Sequence, residues 1–483
     1  MMSAMFDIAD AAVEGALAAG ATYADARVTA RAIRSIDVQN GDVEGISLGE
    51  DTGVGVRALI GSSWGFFATD RLTTADARRA GERAAEIARA SARVGGAPIE
   101  LADVPVETAT WVTPHEQHPL QVSMTDQADL LVDSTTAMLE VPQVKIARGS
   151  LAFWDIHTWL VSSQGHRIDQ TLVLSGGGIS AMSIGDGETQ VRSYPQSFGQ
   201  FEAGGWETVQ RWDFLGNAPR LAEEAAALLT AAEMEECRKP LILEGSQVAL
   251  QIHESVGHAI ELDRILGWEA AFAGTSHLDL SKLGTHRYGS ELMNITADAT
   301  LPGALGTFGY DDEGTPARAV DIVKDGTWVG GLSSRDTAHL AGLEPGGMVK
   351  ADGYNRLPMV RMTNVGLLPG DSSLEEMIAS TEDGVYMETN RSWSIDDRRL
   401  NFQFGCEIGW EIKDGVRTRM LKNPTYTGIT PQFWGSLDML AGPDEWVFWG
   451  TPNCGKGQPM QVARTGHPAV PARFADVRMG VRG

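Results

Sequence analysis

Apolar side chains recur at every second position between residues 400 and 412, and the positions between them are polar or glycine. Only a β-strand places alternate residues on opposite faces, so this stretch must form a strand with one buried side. Lys413-Asp414-Gly415 follows directly and is typical of a tight hairpin turn. The residues predicted to face the core are Leu400, Phe402, Phe404, Cys406, Ile408, Trp410 and Ile412.

The rest of the second half also favours strands, with another hairpin turn at Lys324-Asp325-Gly326. The first half mixes hairpin signals with helices. Residues 23–70 combine alternation with N-G and D-G turns, which predicts hairpins. Helices are expected at residues 1–20, 72–94 and near 219–236, where alanine is frequent and β-branched residues are sparse.

These patterns predict an α+β fold in two parts. Residues 1–235 form an N-terminal α/β domain of helices and hairpins, and residues 236–483 form a β-rich C-terminal domain that carries the metal-binding helix considered next. The boundary is placed before the segment RKPLILEG, where the last alanine-rich stretch gives way to strand signals.

Composition narrows the class of protein. Hydrophobic residues make up 43% of the chain and charged residues 21%, values typical of a folded protein. A formal charge of -25 repels phosphate backbones and anionic lipid, so neither nucleic acid nor a membrane is an expected partner. Three cysteines do not suit a secreted disulfide framework, and the acidic opening segment is unlike a signal peptide. We therefore predict a cytoplasmic protein.

The segment QIHESVGHAIELD resembles a zinc-protease helix stretched by one residue. In H-E-x-x-H the histidines are four apart and share a helix face, whereas His253 and His258 are five apart and diverge on a regular helix. A one-residue π-bulge, which Gly257 leaves room for, brings them back together. We expect a helix over residues 245–263, capped by Ser246, that widens at this point. The alternative is that both histidines are ordinary polar residues of a partly buried helix.

A catalytic zinc site usually has three protein ligands, so a third must lie elsewhere in the chain. Cys406 lies on the apolar face of its strand and Cys237 among charges, whereas Cys454 sits in a glycine-rich loop beside Lys456, which favours a thiolate. Cys454 is the preferred cysteine, and acidic residues remain competing candidates. Those candidates are Glu261, Glu269 and the run Asp311, Asp312 and Glu313, although an acidic turn is usually only solvated.

Several motifs resemble the TldD/PmbA metallopeptidase family, and the TldD-like subunit in particular. HESVGH is similar to the family's H-E-x-x-x-H element, and YDDEGTPA, LPMVRMTN followed by LLPGD, and NCGKGQ are similar to its other motifs. The resemblance spans most of the chain and is most specific between about residues 236 and 460. The accessory PmbA/TldE-type subunit lacks the metal motif, so the resemblance implies a catalytic subunit.

The resemblance implies that His253, His258 and Cys454 bind zinc and that Glu254 is the catalytic acid/base. It also implies a dimer that encloses the site, either a homodimer or a heterodimer with a PmbA/TldE-type chain. Extended or unfolded peptides, bound by strand addition, are the substrates it implies. The expected chemistry is metal-assisted amide hydrolysis. Candidates for stabilising the oxyanion are Arg361, His286 and Tyr310.

Two other functional classes stay open. An enzyme resembling dipeptidyl peptidase III shares the stretched motif, but it needs a downstream glutamate ligand and a much longer chain. A non-catalytic subunit, stabilised by metal and serving as a peptide-binding or scaffold partner of a dimer, is the second. Glu254 distinguishes an enzyme from this non-catalytic subunit, because a closed structural zinc site needs no carboxylate beside its ligands.

Overall fold

The structure is a computed structural model and describes residues 2–185 and 187–481. The first half of the chain is built from long strands and flanking helices. In chain order these are α1 (Met2–Ala18), β1 (Tyr23–Gln39), β2 (Asp42–Ile60), β3 (Ser63–Thr69), α2 (Thr74–Ala92), β4 (Thr108–Val112), a 3₁₀ turn (Pro119–Gln121), α3 (Met124–Leu139), β5 (Val144–Ser162), β6 (Arg167–Gly185), β7 (Glu188–Tyr194), β8 (Gln200–Ala203), α4 (Trp206–Arg211) and α5 (Phe214–Leu228).

These strands form one sheet in the order β3-β2-β1-β5-β6-β4, with β7 and β8 also paired to β6. Asn40 and Gly41 have φ of 54° and 83°, as a two-residue type I′ turn requires, so the N-G signal marks the β1–β2 turn. The helices pack on one face, where Val28 lies in the core with α1 and α2, and Ile36 in the core with α3 and α5. The opposite face carries Arg27 and Arg31 toward the second half of the chain.

The second half has more strands than the first, most of them shorter, and fewer helical residues. Its elements are β9 (Ala232–Glu233), β10 (Cys237–Leu243), α6 (Gly245–Ile252), a π-helical turn (His253–Gly257), α7 (Leu262–Ile265), a 3₁₀ turn (Leu280–Lys282), β11 (Ile295–Asp298), β12 (Ala319–Lys324), β13 (Thr327–Trp328), α8 (Arg335–Ala341), β14 (Val349–Lys350), β15 (Met359–Val360), β16 (Val365–Leu367), α9 (Leu374–Ala379), β17 (Asp383–Ile395), β18 (Asn401–Lys413), β19 (Val416–Lys422), β20 (Thr425–Ile429), α10 (Thr430–Gly435), β21 (Leu437–Leu440), a 3₁₀ turn (Pro443–Glu445), β22 (Val447–Lys456), β23 (Gln461–Ala469) and β24 (Ala472–Met479).

The largest sheet of this half has the order β17-β10-β24-β20-β18-β19-β9, and β17 also pairs with β18, so part of it closes on itself. The predicted apolar face of β18 is buried, with Phe404, Cys406 and Ile408 each 0% exposed. The turns at Asp325 and Asp414 both have positive φ, which confirms the two K-D-G hairpins. The fold is α+β, as predicted.

The polar face of β18 differs from a simple solvated face. Glu407 is buried because its carboxylate accepts hydrogen bonds from Arg192 (3.1 Å) and from the backbone N–H of Ser193 (2.7 Å). The two halves of the chain therefore meet across this strand through ion pairs. The division between residues 235 and 236 stays a prediction.

Three helix predictions need correction. The alanine-rich helix spans Phe214–Leu228 rather than 219–236, because Asp213 caps it by accepting from the N–H of Gly216. The cap of α6 is Glu244, whose carboxylate accepts from the N–H of Ser246 (2.8 Å), so Ser246 itself is not the cap. The helix predicted over 245–263 is interrupted after the π turn.

In the part of the chain that the structure describes, no helix is both long and apolar enough to span a bilayer.

Candidate metal centre

The two motif histidines meet because the helix widens where the sequence predicts it. Residues His253–Gly257 form a π-helical turn, in which the N–H of His258 donates to the carbonyl of His253 (3.2 Å). The imidazole rings then lie 4.9 Å apart between centroids. A Cβ at Gly257 would come within 2.4 Å of the Met362 sulfur, so a larger residue at this position requires the Met362 side chain to move.

Cys454 reaches the histidines from the opposite side, on β22. The pairing of β22 with β23 shifts by one residue between Thr451 and Cys454, and such a bulge redirects a side chain. The Cys454 Sγ lies 3.7 Å from the His258 Nε2. Tetrahedral zinc with ordinary Zn–N and Zn–S bonds separates such atoms by about 3.6 Å. The ligand atoms of His253, His258 and Cys454 all lie within 4.8 Å of one another, so their spacing fits zinc.

The protonation states of these three side chains suit metal binding. Burial lowers the pKa of His253 and His258, which leaves both imidazoles neutral at pH 7. Burial alone would raise the pKa of the Cys454 thiol, but His258 and Arg361 outweigh it and lower that pKa. Lys456 is not the cause, contrary to prediction, because its ammonium is fully buried against both carboxylate oxygens of Asp263 (2.8 Å).

A carboxylate orients the His258 ring. The Nδ1–H of His258 donates to Glu261 Oε2 (3.0 Å), which leaves Nε2 as the lone pair facing Cys454. Glu261 also accepts from Arg264 Nε (3.2 Å) and pairs with Lys456 (3.1 Å). Burial would raise the pKa of Glu261, yet Lys456 and His258 hold it well below its usual range. Glu261, considered above as a candidate ligand, instead orients His258.

A third histidine orients His253. The carbonyl of Val365 can only accept, so His467 Nδ1 donates to it (2.9 Å) and leaves His467 Nε2 as an acceptor. His253 Nδ1 lies 2.7 Å from that nitrogen and must therefore be the donor, so its Nε2 is the free lone pair. Burial, and to a lesser extent His253, lowers the pKa of His467 well below its usual range, so the His467 imidazole stays neutral.

Glu254 borders the cluster from the next residue along the π turn. Its Oε2 accepts from Arg399 Nη1 (2.7 Å), and Arg399 comes from the loop between β17 and β18, with φ of 59°. Both side chains line a cleft of about 400 Å³. The cleft is also lined by His253, His258, Cys454, Phe198, Leu250, Trp393, Ser394, Ile395, Thr451, Asn453 and Gly455.

Other predicted candidates lie outside this site. Tyr310 donates to Glu107, and His286 lies against Tyr288 (6.0 Å between ring centroids). Arg361 lies close to the cleft, because its guanidinium donates to the carbonyl of Cys454. That hydrogen bond holds the backbone of Cys454 and does not direct Arg361 into the cleft. Among the described residues, the ligand group does not include Glu269 or the run Asp311, Asp312 and Glu313.

The sequence suggested that the acidic run Asp311, Asp312 and Glu313 is only solvated, but the structure shows that it is not. Asp312 pairs with Arg27 (3.0 Å) and Glu313 with Arg57 (3.0 Å), so two of its carboxylates join the C-terminal half to the first sheet. His467 and Arg399 are the site residues that sequence reasoning missed. Neither stands in a recognisable spacing with the motif, so no local signal could have found them.

Known proteins are similar to this chain in sequence and in fold. A family profile described as PmbA/TldA metallopeptidase C-terminal domain matches residues 236–472, and one described as PmbA/TldA metallopeptidase domain 1 matches residues 24–88. A metalloprotease of Methanocaldococcus jannaschii is 28% identical over 409 residues, covering 84% of this chain and 86% of its own length.

Two further proteins bear on the metal and the fold. A protein of Saccharolobus solfataricus named zinc metalloprotease TldD homolog is 27% identical over 203 residues, covering 42% of this chain and 43% of its own. The crystal structure of TldE from Thermococcus kodakarensis superposes with a TM-score of 0.70 at 16% identity, over 97% of this chain and 98% of that one.

Proposed function

The chain belongs to the TldD/PmbA family of metallopeptidases, and from that premise we propose that it hydrolyses peptides with a zinc ion held by His253, His258 and Cys454. The observation that carries the proposal is the trio of buried ligand atoms within 4.8 Å of one another, beside a cleft. The name of the Saccharolobus solfataricus relative supports zinc as the metal.

Zinc bound here would polarise the scissile carbonyl and lower the pKa of a water molecule. Glu254 is positioned in the same cleft to accept that water's proton and to deliver it to the leaving nitrogen. A 2.7 Å ion pair with Arg399 holds the Glu254 carboxylate at this cleft. Arg399 also carries a positive charge into the cleft, where it suits a developing oxyanion better than His286 or Tyr310.

The alternative is a non-catalytic subunit that uses metal for stability and binds peptides or serves as a scaffold. Structural zinc sites are closed by four protein ligands, whereas the ligand group in the described residues has three and borders a cleft. A carboxylate held between the ligands and the cleft favours catalysis over a structural role.

The proposed substrates are extended or unfolded peptides. Ser394 and Ile395 of β17 line the cleft, and in this part β17 pairs with β18 on one side. An extended peptide could add along such an edge by backbone hydrogen bonds, with Trp393, 46% exposed, beside it. A folded protein offers no free strand, so selection would depend on access to the site.

We further propose that the chain acts as a dimer that encloses this cleft, as a homodimer or with a PmbA/TldE-type partner in the cytoplasm. The similarity of its fold to TldE supports such a pairing. Light scattering and peptide hydrolysis, measured on the isolated chain and after mixing with a TldE-type chain, test this assembly. A fully active monomer would rule it out.

The mechanism is tested by Glu254→Gln. The ligands remain, so the variant should keep about one zinc per chain while turnover falls roughly 10² to 10⁴-fold. Glu375→Gln, which changes an exposed carboxylate at the start of α9, is the matched control and should leave both unchanged. Near-normal peptide hydrolysis by Glu254→Gln would rule out Glu254 as the general base. No hydrolysis by the zinc-loaded wild type, alone or mixed with a TldE-type chain, would favour the scaffold alternative.

A further inference from the structure

A second cavity lies between the first sheet and the C-terminal half. Its volume is about 80 Å³, and its walls come from β1, β5, β6, the acidic run and the start of β23. Thr29, Lys350, Arg361 and Arg464 line it, together with apolar side chains such as Leu172 and Phe308. The protein has a net charge of -25, so a group of cations enclosed here is unexpected.

Three cationic side chains of this cavity keep unused donors: Lys350, Arg464 and, in part, Arg361. Among the described residues, no hydrogen bond or ion pair reaches the Lys350 ammonium, which lies 4.4 Å from the centre of the Phe308 ring. Nor does one reach the Arg464 guanidinium, which stacks on Trp154 at 4.5 Å. Arg361 is 1% exposed, and in the described chain its Nε is unpaired although its two Nη atoms are bonded.

The carboxylates of the same cavity are already satisfied. Asp312 accepts from Arg27 (3.0 Å) and from the N–H of Ala351 (2.6 Å). Asp352 accepts from Arg31 (3.1 Å) and from the N–H of Val462 (3.0 Å). Asp311 accepts from three backbone N–H groups.

The cavity therefore has unused donors, including the buried Thr29 hydroxyl, while its carboxylates are engaged. Burial lowers the pKa of Lys350 to about 8 and that of Arg464 to about 10, and it outweighs the opposite effects of Asp312 on Lys350 and of Asp352 on Arg464. Lys350 and Arg464 are each partly exposed, and a cation largely withdrawn from water without a partner costs free energy that an anion with several acceptor oxygens would remove.

We propose that this cavity is a binding site for a small oxyanion, of the size of phosphate or a short carboxylate, held by Lys350, Arg361 and Arg464. The volume of about 80 Å³ would admit two or three water molecules or one such anion. The site joins the two halves of the chain. It also adjoins the metal centre, because the Arg361 guanidinium that faces the cavity donates to the carbonyl of Cys454.

The experiment uses the full chain in a buffer free of oxyanions, with inorganic phosphate and acetate added separately at matched ionic strength. At a hundredfold excess over Kd the bound anion should raise the melting temperature by about 2 to 5 °C. Equilibrium dialysis should find one anion per chain. The anion that gives the larger shift in melting temperature shows whether the cavity prefers phosphate or a carboxylate.

Lys350→Met and Arg464→Met should abolish the shift and the bound anion. Neither should unfold the protein, since each removes an unpaired cation, so in anion-free buffer their melting temperatures should equal or exceed that of the wild type. Lys282→Met, which changes an exposed lysine on a 3₁₀ turn, is the control and should keep the shift. An equal shift in all variants, or no bound anion in the wild type, would mean that only water fills the cavity.

Discussion

Helix α6 and the π turn that continues it, residues 245–257, lie in contrasting surroundings at their two ends. At its start, Glu244, Gln247 and Gln251 face the closed part of the second sheet, where the Tyr426 hydroxyl accepts from Gln247 (2.8 Å) and donates to Gln251 (3.0 Å). At its other end, His253 and His258 face a cleft.

Each region also holds a buried cysteine, and the pKa values of the two thiols move in opposite directions. Burial, with a contribution from Glu244, raises the pKa of Cys406 well above its usual value. The pKa of Cys454 is lowered because His258 and Arg361 outweigh its burial. Burial alone therefore does not decide whether a cysteine is a hydrophobic filler or a thiolate; the hydrogen-bonding and charged groups around it decide it.

The sharpest test of this contrast is to replace each cysteine with serine. Cys454→Ser exchanges a thiolate for a hydroxyl that stays neutral at pH 7, so zinc and peptide hydrolysis should be lost while the fold survives. Cys406→Ser should keep its zinc and lose about 1 to 3 kcal/mol of unfolding free energy, because its hydroxyl is buried among apolar groups. Zinc content and denaturant unfolding measure both. Zinc retained by the first variant and lost by the second would reverse the assignment.

The start of the helix should respond to pH. Burial raises the pKa of Glu244 to about 7, above the ordinary value of 4.5, so the folded protein holds this proton more tightly than the unfolded chain. The resulting stabilisation is full below about pH 4.5 and is lost as pH rises through 7, and it amounts to at most about 3 kcal/mol because the carboxyl keeps some solvent contact.

Glu244→Gln isolates this contribution, since the amide oxygen can still accept from Ser246. The difference between wild-type and variant unfolding free energies, measured by urea titration from pH 5 to pH 8, should change across that range. A difference that stays constant with pH would show that Glu244 does not titrate in this window.

The smallest effect concerns the support of a ligand. His467→Phe removes the acceptor for His253 Nδ1–H and should weaken zinc binding about 10 to 100-fold, measured by competition with a chelator. His467→Gln keeps an acceptor and a donor, so it should recover part of the affinity. Wild-type affinity in His467→Phe would mean that packing alone orients His253.

Much of this architecture follows from local patterns. Alternation along β18 and the turns at Asp325 and Asp414 depend on neighbouring residues only, so the hairpins were predictable. The same holds for the widened helix, because five-residue spacing and Gly257 are local facts. The pairing of Cys454 with this helix was a choice among several candidates, and the geometry now places its sulfur 3.7 Å from His258.

Tertiary structure alone decided the surroundings of these residues. His467 supports His253 across 214 positions of sequence, and Arg399 contacts Glu254 across 145. Lys456, two residues after Cys454, turns instead to Asp263, and Arg361, which follows β15, lowers the thiol pKa. Periodicity and spacing describe the backbone and one face of an element, whereas charge, burial and hydrogen bonding depend on which faces meet after folding.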